Sequence, residues 1–140
     1  MIARIIVHAM LACVLFTASN ARAQGVKIMK EFKGEAKADA LEKTVGGTNY
    51  FQTADTFKKF WAATGSKTPL PKVDFAKQFV LRAYAREAKD LEMQLTLNAK
   101  GDLAVGQTSK EGTNAEVMSY HVVIINREGI KTIGGRKIKN

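Results

Sequence analysis

Reaction chemistry in this chain has to be built around His121. Only two histidines, His8 and His121, and one cysteine, Cys13, occur in the 140 residues. His121 is the one candidate general base, and Ser119 and Asp74 are the hydroxyl and the carboxylate that could complete a Ser-His-Asp set. Ser119 lies only two residues from His121 on the same stretch, with no GxSxG elbow to present it. The competing reading of His121 is a partly buried, hydrogen-bonded side chain. Glu87, Asp90 and Glu92 form the densest group of acids. Glycoside hydrolysis needs two acids facing each other across a cleft, and this trio reads instead as a solvated, charge-rich turn. Asp74, between Val73 and Phe75, reads as the cap of a turn.

Other chemistries are excluded by inventory. A single cysteine permits no disulfide framework, CxxC pair or Cys-rich zinc site. No Walker loop, GxGxxG or EF-hand loop is present. No cofactor, metal site or catalytic residue is expected, and the chain reads as a protein that is not an enzyme.

Residues 1–23 read as a secretory signal peptide. Arg4 is the positive flank, Ile5 to Phe16 the apolar run, and Ala21-Arg22-Ala23 the small-x-small site, so Gln24 becomes the mature N-terminus. Cys13 after Met10-Leu11-Ala12 resembles a lipoprotein site, but the apolar run continues past it. A span needs roughly 20 apolar residues, more than this run supplies, so no stable membrane span is expected. Removing residues 1–23 from the 140 leaves 117. It lowers the basic side chains from 22 to 20 against 13 acidic ones, a formal charge of +7. The exported domain then has no cysteine and one histidine. Export places it in the periplasm, on the cell surface or outside, which disfavours nucleic acid as its target.

With 46% hydrophobic and 25% charged residues, the remainder is expected to form one globular domain, residues 24–140. The expected class is α+β: a small, mostly antiparallel sheet with one amphipathic helix packed on it. Val26, Ile28 and Phe32 can face inward from a short strand; Gly46-Gly47 marks a turn, and Tyr50-Phe51 begins another short strand. Residues 53–64 predict the helix. Thr53 suits the N-cap and Gly65 the left-handed exit, while Phe57, Phe60, Trp61 and Thr64 share one face. A tryptophan on such a stripe is core rather than a ligand platform.

Residues 78–86 place Phe79, Leu81, Ala83 and Ala85 on one face, and residues 90–98 alternate with Leu91, Met93, Leu95 and Leu97 inward. Register fixes the next turn. Only a three-residue loop, Ala99-Lys100-Gly101, pairs Leu97 with Leu103 and Leu95 with Val105, and Gly101 sits where that loop wants a left-handed residue. Residues 116–126 are apolar on both faces, which predicts a central strand. Gly134-Gly135 suits a tight turn within a C-terminal hairpin, residues 130–139.

Five cations concentrate at that end: Arg127, Lys131, Arg136, Lys137 and Lys139. They read as a partner-binding basic surface, or as lysines that keep an edge ribbon from pairing with other strands.

From about Phe57 to Asn126 the chain resembles the C-terminal domain of the PrcB family, named for a subunit of a bacterial protease complex. The likeness is carried by Phe57-x-x-Phe60-Trp61, by Val73-Asp74-Phe75 before Phe79-Val80-Leu81, and by the closing Tyr120-His121-Val122-Val123. The resemblance implies an exported, non-catalytic domain that binds and stabilises another exported protein, in the family's case within a protease complex, and it brings no catalytic residues. The expected function is accordingly protein binding. The alternative is a basic envelope protein binding an anionic polymer or lipid surface, and the third reading is a small hydrolase using His121.

Overall fold

A computed structural model describes residues 25–138; residues 1–23, read above as a signal peptide, and Lys139 lie outside that range. The α+β expectation is met, with the strands divided between two packed sheets. The first sheet has the order β1-β6-β3-β2. It contains β1 (Ile28–Lys37), β2 (Tyr50–Phe51), β3 (Gln78–Arg86) and β6 (Val117–Asn126). The second has the order β4-β5-β7-β8. It contains β4 (Ala88–Leu97), β5 (Asp102–Glu111), β7 (Thr132–Ile133) and β8 (Arg136–Lys137). Two helices, α1 (Ala38–Glu42) and α2 (Ala54–Thr64), pack on the face of the first sheet turned away from the second.

β6 is an interior strand, as its doubly apolar sequence requires. Met118, Tyr120, Val122 and Ile124 point to the helix side, where Phe57, Phe60, Trp61 and Leu41 meet them. Val123 and Ile125 point the other way, onto Leu91, Met93 and Leu103 of the second sheet. One strand thus supplies both halves of the core. Fully burying each such side chain is worth roughly 1.5–3 kcal/mol.

The helix forms where the capping pattern places it. Thr53 Oγ1 accepts from the Thr56 N–H at 3.2 Å, and Gly65 closes the helix at φ 64°. Trp61 is core, with its ring edge-on to Phe32 and its indole N–H donating to the Thr68 carbonyl at 3.0 Å. That bond fastens the connector leading to Pro69 and Pro71. Asp74 caps the next turn by accepting the Ala76 N–H at 3.0 Å.

The β4–β5 hairpin has the expected register, Leu97 opposite Leu103 and Leu95 opposite Val105, with Gly101 at φ 84°. Gly134 and Gly135 both have positive φ, the requirement of a type I′ turn, and β8 forms the outer edge of its sheet.

β1 departs from expectation. It runs for ten residues rather than forming a short strand, and a register shift between Ile28 and Lys30 breaks its alternation. Phe32 packs on the helix side and Val26 on the other, while Ile28 is exposed. Its length comes from the full antiparallel pairing with β6, a long-range contact that overrides weak local pattern.

Glu87, at φ 51°, is the single-residue corner between β3 and β4, where the chain leaves one sheet for the other. Asp90, at φ 49°, sits within the β4 irregularity. These acids are therefore backbone corner and bulge, not a facing catalytic pair.

Candidate functional site

Two places gather polar groups: the surroundings of His121 and the C-terminal ribbon.

β6 directs His121 into the gap between the sheets, where the residue is 1% exposed. The strand register sets Lys33 of β1 opposite it, and Glu31, two residues earlier on β1, shares that face. β4 closes the gap from the other sheet. Its Met93 N–H donates to His121 Nδ1 at 2.8 Å. Lys33 Nζ bridges two carboxylates, at 2.6 Å from Glu92 and 3.3 Å from Glu31. His121 Nε2 lies 2.7 Å from Glu31 Oε1, close enough for strong electrostatic contact. The carboxylate is off the line of an aligned hydrogen bond, so this buried nitrogen has no directed partner.

The Met93 bond fixes the ring's tautomer. A backbone N–H can only donate, so Nδ1 carries the lone pair and the neutral ring's proton sits on Nε2. Burial lowers the pKa of His121 from its ordinary value, and the Lys33 charge adds to that, against the opposing pull of Glu31 and Glu92. For Glu31, partial desolvation is the largest influence and raises the pKa, but Lys33 and His121 together leave it lowered.

This tautomer decides what the cluster can do. Glu31, Glu92 and His121 hold their potential ligand atoms within 4.8 Å of one another. A metal at Nε2 would need the lone pair there and the proton on Nδ1. The Met93 N–H blocks that arrangement, and the Lys33 ammonium already lies between the carboxylates. General base catalysis meets the same obstacle, because the basic nitrogen is spent on the backbone. The Ser-His-Asp set is not assembled. Ser119 Oγ donates to the Ala88 carbonyl at 2.6 Å. Asp74 precedes β3, whose Gln78 pairs with Asn126, whereas Ala83 pairs with His121, so Asp74 sits towards the far end of the sheet.

The C-terminal cations separate into two kinds. Arg127 is turned against the domain, donating to the Phe75 carbonyl at 3.0 Å with its guanidinium 4.4 Å from the centre of the Phe79 ring. Lys131, Arg136 and Lys137 are exposed. Among the described residues, none of these three has a carboxylate partner. Asp102 holds the ribbon in place: its Oδ1 accepts from Thr132 Oγ1 at 2.5 Å and from the Gly135 N–H at 2.9 Å. Beside the ribbon are two open depressions that share Tyr50. Phe75, Phe79 and Arg127 border one, and Asn49, Gly134 and Arg136 the other.

Sequence reasoning missed Glu31, Lys33 and the pairing of Glu92 with them. It also missed Arg82, which alternation places opposite the apolar face of β3 and which is nevertheless buried. Its guanidinium donates to the carbonyls of Gly46 and Thr48, each at 3.0 Å, and lies 4.6 Å from the Phe51 ring centre. The Gly46-Gly47 turn was the available signal, since such a turn leaves carbonyls in need of donors.

No protein-family model, characterised protein or solved structure matches this chain. No helix among the described residues is long and apolar enough to cross a membrane.

Proposed function

We propose that this is an exported domain without enzymatic activity that works by binding another exported protein through its C-terminal basic ribbon. The supporting observation is the set Lys131, Arg136 and Lys137, exposed and without acidic partners among the described residues, next to depressions walled by Tyr50 and Phe79. Unpaired charges steer an acidic partner, and an aromatic-walled recess beside them offers an anchor for affinity. The engagement of the His121 lone pair by the Met93 N–H supports the reading without catalysis. The resemblance over residues 57–126 suggests a protease complex as the setting.

The test is affinity capture from the envelope or secreted fraction at low salt, using the tagged protein. A partner should be retained by the native sequence and lost with R136E/K137E. Retention of no protein would defeat the proposal. The exposed cations also favour a second reading, an anionic envelope polymer or lipid surface. In that case polyanion resin should retain the protein only at low salt, since screening shortens to about 3 Å at 1 M.

A further inference from the structure

The buried face of His121 has a role that the binding proposal does not use. β4 is the outer strand of its sheet, and its Met93 N–H points away from β5 towards β6. An unpaired strand N–H in a buried place needs an acceptor, and the imidazole Nδ1 supplies it. This bond, with Ser119 Oγ to the Ala88 carbonyl and Lys33 to Glu92, fastens the β4–β5 hairpin across the first sheet. Leu91 and Met93, on the same strand, are buried in the core between the sheets.

Protonation changes one side of the ring far more than the other. The charged groups facing it are Glu31 and Lys33 from β1 and Glu92 from β4, and its register neighbour on β3 is the uncharged Ala83. On the Nε2 side the imidazolium finds Glu31 at 2.7 Å and is welcome. On the Nδ1 side the added proton faces the Met93 N–H across 2.8 Å, donor against donor. The backbone cannot change its role, so β4 must draw away.

We propose that His121 is an acid-operated latch, whose protonation releases the β4–β5 hairpin from β6 and uncovers the inter-sheet apolar surface at Leu91 and Met93. The opening is local, because the helix-side core, built on Phe57, Phe60, Val122 and Ile124, contains no part of the latch. It goes beyond the binding proposal and stands or falls separately from it.

The experiment is NMR on the native protein from about pH 7.5 to about pH 4.5, across the range in which histidines titrate. Long-range nitrogen–proton spectra should show the Nε2–H tautomer at the upper limit. Hydrogen-exchange protection at Met93 should then fall by about tenfold or more relative to Ile124, with the same midpoint as His121 titration. In His121→Asn, Oδ1 can accept the Met93 N–H but does not titrate, so the relative protection should stay level with pH. If that variant does not fold, coincidence of the two native midpoints decides. An Nδ1–H tautomer at neutral pH would overturn the proposal. So would protection at Met93 that is unchanged through the titration, or that falls equally at Ile124.

Discussion

Gly34 of β1 lies directly opposite Tyr120 of β6, and the tyrosine ring covers it so closely that a Cβ on Gly34 would sit 2.6 Å from the phenol oxygen. The ring cannot easily move aside. It is buried and stands edge-on to Phe60 at 6.0 Å between centres. An aromatic folded over a strand glycine fills the space the missing side chain leaves.

Gly34→Ala should therefore lower stability by about 1–3 kcal/mol, the ordinary cost of overpacking. Gly47→Ala is the control, since nothing lies within 4 Å of a Cβ there. Urea unfolding of both variants checks the contrast, and equal midpoints would show that Tyr120 repacks freely.

Global stability should depend on pH through His121. Its folded pKa is lowered, chiefly by burial. The unfolded chain therefore takes up the proton first as pH falls, and stability declines from the ordinary histidine value of about 6.5 downward. The decline ends once the pH is below the folded value. Urea midpoints measured against pH should show this decline in the native protein and a shallower dependence in His121→Asn.

Asp102 fastens the C-terminal ribbon, with the Thr132 hydroxyl and then the Gly135 N–H holding its carboxyl below the usual carboxylate range. Above that range the anchor is intact; it weakens as pH falls through the lowered value. Asp102→Ala should raise the rate of tryptic cleavage at Arg136 and Lys137 by about tenfold, through local opening. Cleavage at Arg82, inside the core, should stay slow. Uniformly faster cleavage would mean that Asp102 supports the whole fold.

Partner capture should be salt-sensitive mainly in its association rate. Exposed charges act on encounter more than on the lifetime of the complex. In kinetic binding measurements, K131E should slow association and leave dissociation little changed. A dominant effect on dissociation would place Lys131 within the buried contact.

The parts legible in the sequence are those fixed at short range. α2 is specified by Thr53, Gly65 and the stripe between them. The β4–β5 register follows from three leucines, a valine and Gly101, and β6 shows its central position by being apolar on both faces. The division into two sheets is not legible, because it turns on one corner residue, Glu87, whose identity gives no hint of positive φ. Nor is the cluster around His121, which depends on the pairing of β1 with β6 from opposite ends of the described chain. Glu31 and Lys33 look like ordinary solvated charges until that register is known. Arg82 misleads for a related reason: its destination is set by the loop that leads into β2, not by its strand neighbours.

The neighbours Ala83 and Arg82 on β3 pair with His121 and Val122 on β6, so two buried basic side chains of the sheet, Arg82 and His121, occupy adjacent rungs. Arg82 serves carbonyl oxygens and an aromatic face, none of which gains or loses a proton on acidification. Mild acid thus has a handle on only one side of the central sheet. The layer beneath the helix would stay intact as a platform while the hairpin moves about its two chain connections, the Glu87 corner and residues 112–116.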